Sequence, residues 1–530
     1  MRLLFEYSLT QVAFAGSVIF IAYALTIAVY RIFLSPISHI PGPKLAALTY
    51  WYECYHDVIH RGQFVFHMQT LHKRYGPIIR INPHEVHIID PAFYNTLYST
   101  PGQKRDRDYW HTRANNLDRS LLSTIGHDLH RKRRAALSPF FSTASVHKLE
   151  GVIRERTATL LHRLLEGKGT DEVFPMDRAF AAWSNDVIND FSFGSCDHRI
   201  EAPDFDPEFH ELSLRVSRTT IAIKQFPWVL AIVSSLPRSL AMNCGPELAA
   251  FVLIRENMQA KIREVKMQVK EKEGRRTIFH ELLNSNLPEE EKETSRMAEE
   301  GVLVIAAGTD TTAWTLAVAT YYLLSSPIIL RTLKRELADA QKQEPREDRT
   351  LPLNTLEHLP YLTAVIKEAL RLSYGVSGRL TRVAPENELV YGEYVLPRGT
   401  SISMTTVHLH HNETNFPESK TFLPERWLGD AGRDRDRFLT SFSRGSRGCL
   451  GINLAWTELY IALGSLFGTF GAKVVRDGEQ HVILEPGDLA LVELFETDVG
   501  DVEIRADGFF PQTKQGSKGV RIRVLDIPQL

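Results

Sequence analysis

A lone cysteine among closely spaced glycines is the feature of this 530-residue chain best suited to chemistry. It lies in Phe442-Ser443-Arg444-Gly445-Ser446-Arg447-Gly448-Cys449-Leu450-Gly451. Glycines at 445, 448 and 451 permit tight turns and close backbone approach, and backbone N–H groups aimed at the sulfur would favour a thiolate. Such a thiolate can act as a nucleophile or as an axial metal ligand, although a lone loop cysteine is commonly just a small buried hydrophobe. A second cluster, Ala307-Gly308-Thr309-Asp310-Thr311-Thr312, sets an acid among three hydroxyls inside an apolar run at 301–324. That interruption costs helix propensity, and its plain reading is a core helix with satisfied polar side chains. Glu368 and Arg371 share a helix face at i,i+3, a pair that contributes only about a few tenths of a kcal/mol when exposed. The segment Phe422-Leu423-Pro424-Glu425-Arg426-Trp427 and the basic run 127–134 complete the set; charge runs such as the latter are usually solvated helix faces.

The elements that must position these residues are mostly helical. Spacings of three and four predict helices over 152–165, 248–273, 328–343 and 361–372, besides the apolar run holding Asp310. Short strands are expected at 77–81, 86–89 and 388–396, the last leading into Pro397-Arg398-Gly399. The charged stretches 271–276 and 289–293 read as solvated loop or helix-end segments. From Thr10 to Tyr30 no charge occurs, and a helix of that length spans about 30 Å, the thickness of a bilayer core. The chain is therefore expected to comprise a short lumenal N-terminus at 1–9, a transmembrane anchor at 10–30, a proline-rich hinge at 31–45 and a soluble body at 46–530. Arg31 and Lys44 after the span favour a cytosolic body.

Composition narrows the classes. Hydrophobic residues make up 43% of the chain and aromatics 10%, which excludes a mainly disordered protein. A net charge of -2 gives no global footprint for nucleic acid. Four scattered cysteines form neither a disulfide framework nor a CxxC metal pair. No P-loop and no G-x-G-x-x-G following a strand is present, so the chain carries no nucleotide-cofactor module of its own.

The cysteine loop resembles the haem-binding loop of the cytochrome P-450 family, F-x-x-G-x-R-x-C-x-G, at every fixed position: Phe442, Gly445, Arg447, Cys449 and Gly451. The acid–hydroxyl cluster and the 422–427 segment are similar to two further motifs of the family, in the family's order. The resemblance implies a mainly α fold, a helical prism with a small β-rich side, and haem held by the Cys449 thiolate, which favours cleavage of a bound O–O bond. It implies that Arg447 pairs with a haem propionate and that Glu368, Arg371 and Arg426 form a structural triad locking the loop. Ala307 and Gly308 would leave room for dioxygen, Thr311 would hydrogen-bond it, and Asp310 would feed protons through water, with a local widening of the helix there. Arg134 would reach a propionate. His130, standing where the family usually has tryptophan, becomes a further propionate partner, and the neighbouring basic residues form part of a docking surface for an acidic electron donor.

The activity so implied is a monooxygenase inserting one atom of O2 into an apolar small molecule, with electrons from a separate NADPH-cytochrome P-450 reductase, in the endoplasmic reticulum membrane. Segments 31–45 and 498–524 look similar to filamentous-fungal members related to trichodiene oxygenase, which points to a terpenoid or polyketide-like substrate of secondary metabolism. The substrate pocket is expected to draw on 101–125, 205–244, 302–306, 376–380 and 489–495. The rival within the same cofactor class is a haem-thiolate isomerase or dehydratase needing neither O2 nor NADPH. A cysteine hydrolase or a membrane-tethered interaction protein leaves the three coincident motifs unexplained.

Overall fold

A computed structural model describes residues 9–113, 117–271, 277–346, 350–476 and 478–528. The apolar N-terminal run forms one helix, Leu9–Val29, with exposed side chains throughout most of its length, as a membrane anchor requires. It passes into a single wide turn at Tyr30–Leu34. The hinge that follows is docked against the body. The Arg80 backbone N–H donates to Pro41 O at 2.7 Å, Arg80 Nη1 donates to Arg31 O at 2.7 Å, and Arg31 Nη1 donates to Leu48 O.

The body is mainly helical, as expected, with small sheets. Its centre is the helix Thr294–Ser325, half buried along its apolar window and packed most extensively on Met176–Phe193. Around these lie Glu150–Glu166, Pro207–Gln225, Pro246–Glu271, Pro327–Gln343, Pro360–Ser373 and Ile452–Thr469. Several begin with proline in the first turn, where its missing N–H has no intrahelical partner to lose. One large apolar core joins most of these helices.

The strands form two main sheets. Ile78–Arg80, Glu85–Ile88, Ser401–Ser403 and Arg382–Val383 lie side by side in that order, with Glu85 opposite Ser401 in the one parallel pairing. The larger sheet runs Phe174–Pro175, Arg521–Leu525, Ala490–Leu494, Phe470–Arg476, Glu479–Ile483. The expected strand at 388–396 is a hairpin of two short strands, Leu389–Tyr391 and Tyr394–Leu396. Of the two charged stretches, 272–276 lie outside the described residues. The other is a short helical turn, Glu289–Lys292, leading into the helix Thr294–Ser325, with Glu289, Glu290 and Glu293 exposed as expected. Glu291 turns inward, receiving Arg133 Nη2 at 2.8 Å and Arg296 Nε at 3.0 Å, and is only 16% exposed.

The charged set at 368, 371 and 426 is fully buried and closes as a unit. Arg371 Nε and Nη2 donate to the Glu368 carboxylate at 2.9 and 2.8 Å, and Arg426 Nε donates to Glu368 Oε1 at 3.1 Å. Trp427 Nε1 and the Leu423 backbone N–H donate to the same carboxylate at 2.8 and 2.9 Å. Arg371 spends its remaining donors on the carbonyls of His410, Ser419 and Thr421. One carboxylate thus pins the helix Pro360–Ser373 to the chain leading toward the cysteine loop. Replacing Glu368 by Ala strands two buried guanidinium groups, so Glu368→Ala is expected to cost about 3–5 kcal/mol in chemical unfolding; a loss below 1 kcal/mol would show that the network does not hold the fold.

Candidate active site

The cysteine loop is built by two local constraints. Gly445 has φ +71°, and a Cβ there would stand 1.9 Å from Tyr98 O, so only glycine fits. The Cys449 N–H donates to Phe442 O at 2.7 Å, closing the loop on itself. Phe442 lies against Trp456 of the following helix. Gly451 needs no special conformation; it caps Ile452–Thr469 at φ -87°, and a Cβ there would meet nothing nearer than Phe141 at 3.9 Å. Arg134 Nη1 donates to Gly448 O at 2.7 Å, beside the cysteine. Burial pushes the Cys449 thiol up, while the Gly451 N–H and Arg134 pull it down. The net shift is upward, so the loop's own donors do not by themselves make a thiolate. The side chain is nonetheless accessible, because it faces an internal cavity.

That cavity, of about 470 Å³, holds every residue singled out in the cysteine and acid–hydroxyl motifs except Gly445: Phe442, Arg447, Cys449 and Gly451 from the loop, Ala307 to Thr312 from the long helix, and His130 and Arg134 from the basic helix. The triad of Glu368, Arg371 and Arg426 stands outside it. Ala306 and Ala307 are accessible in mid-helix, which opens the cavity over them. Gly308 lines the cavity, and a Cβ there would lie 2.7 Å from Ile188 Cγ1, so its smallness also serves close packing on Met176–Phe193. The expected widening is missing: 294–325 is α-helical throughout. Thr311 Oγ1 donates back to Ala307 O at 2.8 Å, and Thr315 Oγ1 to Thr311 O at 2.9 Å, local bonds that bend a helix without breaking it. Asp310 accepts from Ser213 Oγ at 2.6 Å, and burial raises its pKa to about 6.

The basic run splits between two environments. Arg131 and Lys132 are exposed, whereas His130 and Arg133 are buried. His130 is 4% exposed, its Nδ1 has no hydrogen-bond partner, and its pKa falls to about 3 through burial and then Arg447, Arg134, Arg107 and Arg382. These four arginines and His130 all line the cavity, and none forms an ion pair with a carboxylate among the described residues. Arg447 donates to the carbonyls of Arg105, Thr124 and Ile125 at 3.0, 2.7 and 2.5 Å. Its fork therefore ties three strands of chain together, leaving two of its five donors for an anion. Arg107 and Arg447 both have their pKa lowered to about 9, by burial first and then by Arg382.

Sequence reasoning missed Arg107, Arg382 and Glu458. Glu458 is 1% exposed, receives Thr312 Oγ1 at 3.1 Å, and has an unpartnered Oε1 and a pKa raised to about 8 by burial. Its signal was present: it is the one charged residue in the apolar helix Ile452–Thr469. The substrate walls agree with expectation at 107–122, 209–220, 302–306, 376 and 380, with 114–116 outside the described residues. The segment 489–495 is not among them. It is the sheet strand Ala490–Leu494, and Phe509 and Phe510 supply that wall instead.

Four arginines at one cavity without a carboxylate partner favour an anionic ligand, and a sulfur facing the same cavity can ligate a metal such as iron. An iron porphyrin with two carboxylates meets both needs, so the residues present fit a haem-thiolate protein. The chain belongs to the Cytochrome P450 family, whose sequence model matches residues 43–494. It is 44% identical to the cytochrome P450 monooxygenase tpcC of Cochliobolus heterostrophus and 40% identical to the cytochrome P450 monooxygenase astB of Talaromyces wortmannii, in each case over 96% of both chains. It is also 37% identical to the tryptophan 6-hydroxylase fscE of Fusarium equiseti over 96% of each chain. It is a cytochrome P450 monooxygenase, with the haem-thiolate cofactor of that family.

Two outcomes follow from this packing and electrostatics. Gly308→Ala should lower stability by about 1–3 kcal/mol by overpacking, against the usual benefit of alanine in a helix. In an Ile188→Ala background, itself destabilised by the cavity it leaves, the further cost of Gly308→Ala in thermal unfolding should be smaller. Glu458 is raised from an ordinary value of 4.5 to about 8. Between those values the folded state holds a proton that the unfolded state has released, so stability falls as pH rises. Glu458→Gln should flatten that fall between pH 5 and 8, and parallel curves for the two proteins would exclude it.

Proposed function

We propose that Cys449 supplies the axial thiolate, that Arg107, His130, Arg134, Arg382 and Arg447 surround the haem propionates, and that Asp310 and Thr311 handle the protons of oxygen activation. The observation carrying this reading is that one cavity joins the loop sulfur, the unpaired cationic ring and the acid–hydroxyl cluster. When bound, the haem supplies activation of O2 for insertion of one oxygen atom into substrate. The chain's own residues do the rest. The backbone bond from Cys449 N–H to Phe442 O orients the sulfur, and Arg134 braces the carbonyl before it. The Asp310 carboxyl, near neutrality in its pKa, can hold or release a proton at Oδ2, where the Ser213 hydroxyl meets it. Thr311 keeps its hydroxyl on Ala307 O, beside the most open part of the cavity.

The substrate proposed is a terpenoid or polyketide-like molecule of fungal secondary metabolism. Apolar and aromatic walls support it, among them Phe209, Leu212, Phe251, Val376 and Phe509. A similar protein is a tryptophan 6-hydroxylase, so aromatic carbon lies within the chemistry of the relatives. The anchor at 10–30 would hold the body at 46–530 on the cytosolic face of the endoplasmic reticulum. There a separate NADPH-cytochrome P-450 reductase would supply electrons, since this chain has no nucleotide-binding fingerprint.

Cys449→Ala should abolish the thiolate signature in the absorbance spectrum of the reduced, carbon-monoxide-bound protein; an unchanged spectrum would refute the ligand assignment. Thr311→Ala should retain that spectrum while more NADPH is consumed per product formed and more hydrogen peroxide is released. Unchanged coupling in Thr311→Ala would remove that residue from the proton chemistry.

A further inference from the structure

Behind Asp310 lies a second cavity of about 90 Å³, bounded by the start of Met176–Phe193, the helix Pro207–Gln225, the long helix and the 510–512 segment. Its walls include Asp177, His210, Ser213, Asp310, Thr311 and Trp314. Two buried polar atoms on residues that line it have no protein partner: Asp177 Oδ1, an acceptor, and Trp314 Nε1, a donor. One water needs roughly 10–15 Å³ of such free volume and two or more polar neighbours, so the space accommodates several waters, with Asp177, His210, Ser213 and Asp310 along its walls. Ser213 lines both cavities, and its hydroxyl donates to Asp310 Oδ2 at 2.6 Å. His210 is partly exposed.

We propose that this side cavity holds a short file of water that carries protons from His210 and Asp177 through Ser213 to the Asp310 carboxyl. The inference rests on the reading of Asp310 given above and extends it outward to the residues that recharge it. Each carrier gives up one proton as it takes the next, so the net transfer is one proton from bulk water to Asp310, with no electron moved and no other bond changed. Ser213 passes its own hydroxyl proton to Asp310 Oδ2 while accepting another from water. Burial, with Arg178 and Arg218 nearby and Glu211 opposing, lowers the pKa of His210 to about 4. The imidazole is therefore neutral near pH 7, with one nitrogen to accept and one to donate. Asp177 is raised to about 7, by burial first, with the Val520 N–H lowering, Asp501 raising and Arg178 lowering.

The test uses the full-length, haem-loaded enzyme. Its crystal structure should show ordered water bonded to Asp177 Oδ1 and Trp314 Nε1; a dry cavity overturns the proposal. In NADPH oxidation with purified reductase, His210→Phe and Asp177→Asn should each slow turnover by about tenfold, less than for loss of a direct proton donor because water partly replaces a carrier. The solvent deuterium isotope effect should rise in both, with an unchanged carbon-monoxide spectrum as the check on the site. Slowing in Asp310→Asn but in neither outer variant overturns the conduit alone. Unaltered turnover in Asp310→Asn overturns both the conduit and the role given to Asp310.

Discussion

The interaction on which this structure turns is the one its cationic ring requires. Arg107, His130, Arg134, Arg382 and Arg447 converge on one cavity without a carboxylate of the protein to balance them. Burying positive charge is costly, and the cost appears in the lowered pKa values of Arg107 and Arg447, while His130 is held neutral. The fold tolerates the arrangement because backbone carbonyls take part of the donor capacity, most clearly at Arg447. On the reading proposed above, the haem propionates would supply the missing charge, and their binding free energy would become folding free energy for the residues around them.

The geometry that brings these charges together depends in turn on a second buried network of the opposite kind, fully compensated. Glu368 satisfies Arg371, Arg426, Trp427 and one backbone N–H at once, so the chain from 410 to 427 has little freedom. The loop that follows inherits that rigidity, and Gly445 lets it press against Tyr98 O. On the far side the long helix lies close on its neighbour only because residue 308 lacks a side chain. Two packing constraints and one saturated carboxylate thus fix the width of the cavity.

The sequence was most legible where chemistry is concentrated in short runs. The cysteine loop, the acid–hydroxyl cluster and the Glu368-Ala369-Leu370-Arg371 pair are contiguous; the structure brings the first two to one cavity and the third into a buried ion-pair network. Helix spans were read to within a few residues, since amphipathic spacing is local. Residues brought in by tertiary folding were not readable. Arg107 sits among alternating charges at 104–108 that look solvated, and Arg382 lies on a two-residue strand. The 489–495 assignment failed because an apolar alternation marks a strand without saying which sheet takes it. The packing of Gly308 on Ile188 was not readable, because a small residue facing a cavity and a small residue facing another helix look the same in one dimension. Helix widening was expected from the family resemblance, but the helix here stays regular, its hydroxyls bonding back to their own backbone.

The docked segment after the anchor has a mechanical consequence. With Arg31 bonded to Leu48 O and its own carbonyl held by Arg80, the span and the body cannot swivel as beads on a string. With the helix Leu9–Val29 lying in a membrane, these bonds would pass its tilt on to the body, and any collision partner diffusing in the same plane would meet the same side of the molecule each time.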